Sequence, residues 1–452
     1  MQLQELKSLL VLEPTWTVSI DGREFAQWSS TEIEFIGENI RIGRQLRRVL
    51  RADWLRSNIA RLHTRDRTNS RPEVLTFFPG NQLPCGTVLR RRRRSFQTLL
   101  GQALASHFRI RTTIREILHS DKQRGIGGAY PRFVFGNRAV ISVDPDDTAP
   151  VIDGVMRAAI LWSDYIPFRI AVIVPSERKQ TIVTRLRDLA MIRSGFDWME
   201  WDGYSIKSLD MQIPVQETQV HEIVQLHVEN EVTRICGLAP ELLQALPNIQ
   251  ARAISIRLRG LEIARVSETE TRYPMGEPLQ PLIETLTRDR QFGSRHPLAR
   301  AYEERWLESN LIRQIEELLP VRRDWIYPQV PSFAGGERNI IDLLTVTPDG
   351  RLVVIEVKAT ADPDLPFQAF DYWQAVERHR TAGDFQNRGY FSGMKIRNVP
   401  SLLVVVAPLL SFHKTFDRLV SALPRSLPLV QIGINQTWKR EIKILRRQGT
   451  LS

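Results

Sequence analysis

The segment NIIDLLTVTPDGRLVVIEVKA (residues 339–359) decides the fold of the C-terminal part of this chain. It contains two apolar, β-rich runs, residues 340–346 and 352–357, joined by Pro-Asp-Gly at 348–350. A Pro-Asp-Gly sequence between two such runs is a strong turn signal. The segment is therefore predicted to form a β-hairpin whose two strands belong to a hydrophobic core.

Three charged residues interrupt these apolar strands: Asp342, Glu356 and Lys358. Buried charge is costly unless it is paired or bound to a metal. Because side chains alternate across a strand, Glu356 and Lys358 share one face, and hairpin pairing can bring Asp342 beside Glu356. Two adjacent carboxylates repel each other, and a hard divalent cation relieves that repulsion by accepting their oxygens as ligands. The alternative is a core ion triad that binds no metal.

The three residue types suit phosphodiester hydrolysis. A bound divalent cation lowers the pKa of a water ligand and stabilises charge on a phosphate oxygen. The adjacent ammonium of Lys358 can orient or deprotonate the attacking water, or offset the charge of the transition state.

The elements around the hairpin follow an α-β-β-α-β order. A helix is predicted over residues 297–319, before Pro320, and a second over 366–380. The apolar run 402–406 is typical of a buried strand. A helix near 412–423 and a strand at 429–434 complete the predicted domain.

A strand-borne Asp followed by a strand with Glu-x-Lys resembles the PD-(D/E)XK nuclease superfamily, which includes restriction endonucleases and RecB-type nucleases. The family often places a glutamate on the preceding helix, where this chain has Glu304, with Glu303 as a competitor. RecB-like members carry Gln and Tyr four residues apart on the next helix, as at Gln368 and Tyr372. The resemblance covers about a third of the chain. It departs at Ile341, where the motif name has proline.

The resemblance implies a role for each matching residue. Asp342 and Glu356, with the backbone carbonyl of Val357, would ligate Mg²⁺ or Mn²⁺. Lys358 would act on the attacking water, Glu304 would assist the metal, and Gln368 would position the substrate. Non-catalytic roles stay open for these residues: Glu304 as a solvated helix charge, and Gln368 and Tyr372 as ordinary helix residues.

An earlier α/β unit, residues 91–205, repeats the order of the C-terminal domain. Strands at 139–143 and 170–174, with a helix at 150–165 between them, occupy the places of 352–357, 402–406 and 366–380. Aligning VISVDP (140–145) with VIEVKA (354–359) puts Ser142 in the place of Glu356 and Asp144 in that of Lys358. The unit is thus either a degenerate, silent copy or an unrelated α/β domain.

Positive charge is concentrated near the N-terminus. The net charge is +11, and residues 41–124 contain 20 Lys or Arg against five acidic residues. Such a concentration attracts polyanions, of which nucleic acid is the commonest for a protein of this kind; an Arg-rich solvated surface is the alternative.

The region is predicted to hold short strands near 16–20 and 33–36, a helix over 40–62, a loop over 63–73 and a helix from Phe96 to His107. A further helix is predicted to end near Leu118. The residues expected to contact nucleic acid are Arg90, Arg91, Arg92, Arg93, Arg94, Arg338 and Tyr372.

Other functional classes are disfavoured by the sequence. It contains no phosphate-binding G-x-x-x-x-G-K-[ST] loop, its eight histidines are scattered, and its two cysteines, Cys85 and Cys236, form no metal or disulfide pattern. It lacks an apolar run of the ~18 residues needed for a membrane span, and no export signal is recognised at its start. We therefore expect a cytoplasmic protein that contacts DNA and no membrane.

The predicted fold class is α/β, with a C-terminal restriction-endonuclease-like α-β-β-α-β domain and a mixed sheet. The expected organisation is a basic region (1–90), an α/β unit (91–205), a connecting region with a helix near 217–236, a strand pair and a linker (206–296), and the nuclease-like domain (297–452). The alternatives to a DNA-cutting enzyme are a non-catalytic nucleic-acid-binding protein and a subunit that needs a partner helicase or methyltransferase. A homodimer and a pseudo-dimer built from two halves of one chain both stay open.

Overall fold

The structure is a computed structural model, and it describes residues 15–20, 24–56, 59–66, 72–79, 86–109, 115–117, 124–213, 220–334 and 337–449. Within these ranges no helix is long and apolar enough to span a membrane. The chain divides into two compact units. Compact unit 1 comprises Met1–Arg90, Val228–Ala245 and Ser255–Glu303, and compact unit 2 comprises Arg91–His227, Leu246–Ile254 and Glu304–Ser452.

The N-terminal residues form a seven-stranded antiparallel sheet in the order β2-β1-β7-β6-β5-β4-β3. Alternation places Trp16, Ile40, Leu62, Leu75 and Phe77 in its core. The strands are β1 (Thr15–Ile20), β2 (Glu24–Ser29), β3 (Ile33–Ile36), β4 (Asn39–Ile42), β5 (Gln45–Arg56), β6 (Ile59–Asp66) and β7 (Pro72–Pro79).

Two predictions for this region are wrong. The described residues between 40 and 62 lie in strands and a turn rather than a helix, because Ile40 and Ile42 alternate with exposed Arg41 and fit a period of two. The expected loop at 63–73 lies largely in β6 and β7, and residues 67–71 are outside the described part of the chain.

The arginine run lies inside a helix rather than before one. Helix α1 (Gly86–His107) starts ten residues earlier than predicted and includes Arg90 to Arg94. A second correction concerns the segment near Leu118, which was predicted to be helical. The described residues there form strand β8 (Arg115–Ile117), paired with the next strand.

The first α/β unit forms a six-stranded mixed sheet, called here the first lobe (residues 115–208). Its order is β13-β12-β11-β10-β9-β8, with β10, β11 and β12 parallel and the other neighbours antiparallel. Its further elements are β9 (Arg132–Phe135), β10 (Arg138–Ser142), α2 (Ala149–Asp153), α3 (Val155–Ser163), β11 (Arg169–Pro175), α4 (Lys179–Leu186), α5 (Ala190–Gly195), β12 (Asp197–Trp201) and β13 (Ile206–Ser208).

The connecting region contains a four-stranded sheet in the order β14-β15-β16-β17. The predicted strand pair near 253–266 is confirmed as β15 and β16. The helix predicted from 217 begins only at Glu229, and the expected linker at 273–281 runs into a helix at Leu279. The elements are α6 (Glu229–Cys236), β14 (Leu243–Asn248), β15 (Ala253–Leu258), β16 (Leu261–Val266), β17 (Thr271–Arg272) and α7 (Leu279–Asp289).

The C-terminal elements form a second six-stranded mixed sheet, called here the second lobe (residues 303–448). Its strand order is β18-β19-β20-β21-β22-β23, and again only its three central strands are parallel. The edge strands β18 and β23 were not predicted. The elements are α8 (Glu303–Arg313), α9 (Ile315–Leu318), β18 (Tyr327–Ala334), β19 (Glu337–Val346), β20 (Leu352–Val357), α10 (Leu365–Ala382), α11 (Asp384–Asn387), β21 (Leu402–Pro408), α12 (Phe416–Val420), β22 (Leu429–Ile434) and β23 (Ile444–Gln448).

The α/β class is confirmed, and the helix after the hairpin, α10, occurs where the sequence predicts it. The single helix expected over 297–319 is interrupted: a 3₁₀ turn at Pro297–Ala299 precedes α8, and Gln314 separates α8 from α9. The apolar stripe of these helices, which includes Leu307, Leu311 and Ile315, is buried as its spacing predicts.

The two lobes have the same sheet topology, so their residues can be matched strand by strand. In the first lobe Arg138 pairs with Phe135 on β9 and Arg169 on β11. In the second lobe the matching residue is Val353, which pairs with Thr345 on β19 and Leu402 on β21. The matched strands β11 and β21 each have seven residues and end in proline, at Pro175 and Pro408.

This register corrects the expected correspondence by one residue. Glu356 is matched by Ile141 and Lys358 by Val143, rather than by Ser142 and Asp144. With this register the matched side chains lie on corresponding faces of the two sheets. Ile141 and Val143 pack in the cluster that contains residues of α2 and α3, and Val354 packs in the cluster that contains Leu365 of α10. Ser142 instead donates a hydrogen bond to the Ile173 carbonyl. A one-residue shift reverses which face of a strand a side chain occupies.

Within compact unit 2 the lobes share one hydrophobic core. Phe367 and Phe370 of α10 and Leu419 of α12 pack in the same cluster as residues of α3 and α4. Ion pairs join the lobes in both directions, and Arg157 of the first lobe also pairs with Asp364. Arg185 on α4 pairs with Asp371, and Arg418 on α12, which also lies ten residues after the matched proline, pairs with Asp164 at the end of α3.

Candidate active site

The β19–β20 hairpin brings the two predicted acidic residues together. Leu343 pairs with Ile355, and continuing this antiparallel register by one residue places Asp342 opposite Glu356, on the same face. The Val357 N–H donates to Asp342 Oδ2 at 2.8 Å, which fixes the carboxylate against β20. The local fold therefore provides the juxtaposition that the sequence predicts.

Lys358 completes the cluster at the end of β20. Its Nζ lies 3.2 Å from Glu356 Oε1 and 3.7 Å from Glu304 Oε2. Glu356 is 1% exposed and Lys358 is 9% exposed, whereas the Glu304 side chain is 46% exposed. Of the two candidate glutamates on α8, Glu304 is thus the one placed beside the lysine.

One oxygen of the cluster is unsatisfied. Glu356 Oε2 is buried and has no hydrogen-bond partner among the described residues. A buried acceptor without a donor costs on the order of 1–3 kcal/mol, and more when it is charged. Such an atom calls for a ligand, a proton or a cation.

The electrostatics of the cluster agree with this reading. Burial raises the pKa of Glu356 well above its ordinary value, and the charge of Asp342 raises it further. Burial also raises the pKa of Asp342, although Lys358 opposes this. Burial alone would lower the pKa of Lys358, but Glu356, Glu304 and Asp342 more than offset it, so its pKa is raised and the side chain is an ammonium.

The donor set fits a divalent cation that keeps part of its hydration. In the described ranges no three His, Cys, Asp or Glu side chains form a metal-binding group. Mg²⁺ in proteins is held by one or two carboxylates and retains several waters. Asp342 and Glu356 supply two carboxylates, and the unsatisfied Glu356 oxygen supplies a free ligand atom.

The remaining predicted residues lie on α10, next to the cluster. Gln368 Nε2 donates to Tyr372 Oη at 3.0 Å, as expected for residues one helical turn apart. Tyr372 is buried, and burial together with the charge of Glu356 raises its pKa. Its hydroxyl is therefore engaged with Gln368 at the edge of the site.

A cavity of about 420 Å³ opens beside Lys358, Gln368 and Tyr372, and both lobes form its walls. Three of its aspartates are paired with arginines: Asp153 with Arg178, Asp364 with Arg157, and Asp371 with Arg185. These wall residues were not predicted, because the partners of Asp364 and Asp371 lie about 200 residues earlier in the chain. The lining residues are Ala149, Pro150, Asp153, Thr181, Arg185, Lys358, Asp362, Asp364, Gln368, Asp371 and Tyr372.

The predicted nucleic-acid-binding arginines have mixed positions. Arg93 donates to both carboxylate oxygens of Asp147 at 2.9 Å, so this side chain is committed within the fold, whereas Arg94 is exposed. The side chains of Arg90, Arg91, Arg92 and Arg338 lie outside the described part of the structure.

Exposed basic residues also lie on strands of compact unit 1. Arg41, Arg48 and Arg65 are exposed, and Arg48 lies directly opposite Arg65 across β5 and β6. Like charges in this position destabilise a sheet. Arg41 and Arg48 form exposed pairs with Glu34 and Glu38, and such pairs contribute little.

The first lobe lacks the charged cluster. At the positions of Asp342, Glu356 and Lys358 it has Arg132, Ile141 and Val143. Arg132 is buried, with its guanidinium 5.8 Å from the centre of the Trp162 ring. A cation and two aliphatic side chains cannot ligate a metal, so only one of the two lobes has the chemistry of the site.

Comparison with known proteins finds no family model that matches the chain and no curated protein with significant similarity to it.

Proposed function

We propose that the chain is a metal-dependent nuclease that hydrolyses phosphodiester bonds in DNA, with its site on β19 and β20 of the second lobe. The observation that carries the proposal is the buried carboxylate of Glu356. It has one unsatisfied oxygen, lies opposite Asp342, and has an ammonium 3.2 Å away at the edge of a cavity. A fold tolerates this arrangement when a bound cation offsets its cost.

Asp342 and Glu356, with the carbonyl of Val357, are the residues that would hold Mg²⁺ or Mn²⁺. When bound, the cation would supply Lewis-acid stabilisation of a phosphate oxygen and a water of lowered pKa. Asp342 is oriented by the Val357 N–H, so its carboxylate is fixed before any ligand arrives. Preorganised ligands reduce the reorganisation that binding and reaction require.

Lys358 is best suited to stabilise negative charge. The raised pKa makes it a donor rather than a base, because the carboxylates around it favour the ammonium. A proton donor beside a phosphate offsets the charge that develops on the transition state. Glu304 lies 3.7 Å from Nζ and would hold this ammonium in position, while Gln368 faces the cavity that would receive the substrate.

Surface charge supports a polyanionic substrate. Exposed Arg41, Arg48 and Arg65 lie on strands β4 to β6, and Arg94 is exposed on α1. Cations of this kind bind phosphates by counterion release, so we expect salt-dependent DNA binding. Arg90, Arg91 and Arg92 of the same helix would add to it.

The topology supports a finer proposal about the fold. We infer that the second lobe is a restriction-endonuclease-like domain and that the first lobe is a degenerate copy of it. Both have the same six-strand order, the same three parallel strands, and a proline at the end of the second parallel strand.

The experiment is a cleavage assay on single- and double-stranded DNA and RNA with Mg²⁺, Mn²⁺ or EDTA. Wild-type protein should cut DNA only with a divalent cation, and Lys358→Ala should reduce the rate roughly 10²- to 10³-fold, as for loss of one charge-stabilising donor. Arg132→Met, at the position matched to Asp342 in the first lobe, is the control and should cut normally. Cleavage that persists in EDTA, or that proceeds at the wild-type rate in Lys358→Ala, would refute the mechanism. Binding without cleavage would favour a non-catalytic binding protein, and cleavage that appears only with an added helicase or methyltransferase would favour a partner-dependent subunit.

A further inference from the structure

Helix α10 is the element that connects the proposed site to the first lobe. It begins seven residues after Lys358, and it carries Gln368 and Tyr372 on the side that lines the cavity. Asp371 lies on the same side, because residues at i, i+3 and i+4 are neighbours on a helix. The position of α10 therefore determines where Gln368 and Tyr372 stand relative to the carboxylates.

Two buried arginines of the first lobe bind this helix. Arg185 Nε donates to Asp371 Oδ1 at 2.8 Å and to Oδ2 at 3.0 Å, and its Nη2 also bonds to Oδ2. Arg157 Nε donates to Asp364 Oδ1 at 2.6 Å, immediately before the first turn of α10. Arg157 and Arg185 are both buried, and the Asp371 carboxylate is almost completely enclosed.

Further contacts hold the same helix. Gln374 Nε2 donates to Asp188 Oδ2 at 2.7 Å, and Phe367 and Phe370 pack in the core shared with the first lobe. Contacts thus run from Asp364, before the helix, to Gln374 near its middle. A bidentate guanidinium–carboxylate pair fixes orientation as well as distance.

We propose that the first lobe is a positioning module for the site, and that Arg185 and Arg157 are positioning residues that hold α10, and with it Gln368 and Tyr372, against the carboxylate cluster. The inference rests on the proposed nuclease function and deepens it, because it gives the silent lobe a role. Neither arginine touches the proposed metal ligands. Arg185 also lines the cavity, so faster exchange in α10, and not lower activity alone, is the sign that its effect reaches the site through the helix.

The chain contains a matched control for this idea. Arg418 lies ten residues after Pro408, as Arg185 lies ten residues after Pro175, and its guanidinium binds both oxygens of Asp164. This pair also joins the two lobes, but it involves α12 and the end of α3 rather than α10. Loss of the Arg418 pair therefore reports a general weakening of the contact between lobes.

The test compares Arg185→Met, Arg418→Met and the double variant Arg185→Met/Asp371→Leu in full-length protein. Each is assayed for DNA cleavage, for Mn²⁺ affinity, and for amide hydrogen exchange of residues 365–382. Arg185→Met should lower kcat at least tenfold, leave Mn²⁺ affinity within about twofold, and speed exchange in α10, while Arg418→Met leaves all three near wild type. The double variant removes both buried charges, so it should fold even if the single variant does not, and it should keep the lowered kcat.

The possible outcomes separate this inference from the proposed function. If wild-type protein does not cut DNA with any divalent cation, the nuclease proposal fails, yet faster exchange of α10 in Arg185→Met alone would still support the positioning role. If wild-type protein cuts and both variants at Arg185 cut equally well, the positioning role is refuted and the nuclease proposal stands. An equal loss of activity in Arg418→Met would also refute it, because the effect would then be general.

Discussion

The two lobes of compact unit 2 share one architecture and differ in what their central strands carry. The second lobe has Asp342, Glu356 and Lys358 where the first has Arg132, Ile141 and Val143. The strand order and the parallel core are the same in both. The fold therefore does not require the charged cluster, since the first lobe forms the same sheet with aliphatic residues.

The difference shows where the second lobe accepts an energetic cost. A buried carboxylate with an unsatisfied oxygen destabilises a core, and Ile141 at the matched position of the first lobe avoids that cost. Exceptions of this kind to the rules of packing concentrate at functional sites. The comparison thus supports a site in the second lobe and a structural role for the first.

The largest expected effect comes from removing the charge of Glu356. Glu356→Gln keeps the shape of the side chain but removes a ligand charge, so DNA cleavage should fall on the order of 10³-fold, since Lewis-acid catalysis contributes several kcal/mol. Cleavage rates in saturating Mg²⁺ measure this. A variant that cuts at the wild-type rate would show that the contrast between the lobes is not catalytic.

Metal affinity should depend steeply on pH. The raised pKa values of Glu356 and Asp342 mean that the metal-free site tends to hold protons, which a cation must displace. Affinity for Mn²⁺ should therefore rise with pH, by up to about tenfold per pH unit for each proton released. Titration calorimetry at pH 6, 7 and 8 in buffers of different ionisation enthalpy gives both the affinity and the proton count. A flat profile would exclude displacement of protons from the carboxylates.

The stability of the metal-free protein should fall as pH rises, whereas its affinity for Mn²⁺ should increase. The pKa of Glu356 is raised on folding, so the folded, metal-free protein binds more protons than the unfolded chain above about pH 4.5, and its stability falls as pH increases through the folded pKa. Glu356→Gln removes this loss and should stabilise the metal-free protein at pH 8 by roughly 1–3 kcal/mol. Chemical denaturation with EDTA at pH 5 and pH 8 tests the sign. Equal or lower stability of the variant at pH 8 would argue against a strained carboxylate.

The smallest effect is expected in the first lobe. Arg132→Met changes the residue matched to Asp342, and because Arg132, Ile141 and Val143 cannot ligate a metal, DNA cleavage should stay within about twofold of wild type. The same cleavage assay applies, at a temperature well below the unfolding transition of the variant. A large loss of activity would mean that the first lobe takes part in the chemistry.

The sequence predicts the hairpin and its charged cluster because both depend on local pattern. Alternation places Glu356 and Lys358 on one face, the Pro-Asp-Gly turn sets the hairpin, and Gln368 and Tyr372 meet through helical spacing. In the N-terminal sheet, β1 and β3 lie where the sequence predicts strands. Strands β4 to β6 were missed because arginine-rich strands with aliphatic residues at every second position are easily mistaken for a basic helix. The edge strands β18 and β23 carry too weak an apolar pattern to be recognised.

What the sequence could not predict depends on long-range contact. The cavity beside Lys358 is also lined by Arg185, whose partner Asp371 lies 186 residues away. The predicted correspondence between residues of the two lobes was wrong by one position, because two aliphatic strands can be aligned almost equally well after a shift of one residue. The counterpart of Glu356 is identified as Ile141 rather than Ser142 only by the pairing of β10 with its neighbours β9 and β11.

Mn²⁺ binding measured by titration calorimetry or electron paramagnetic resonance, in wild type, Asp342→Asn, Glu356→Gln and Arg132→Met, tests the central claim most directly. We predict one Mn²⁺ per wild-type chain, loss of that binding in both carboxylate variants, and unchanged binding in Arg132→Met. Wild-type stoichiometry and affinity in Glu356→Gln, or no binding by the wild-type protein at millimolar Mn²⁺, would contradict the account.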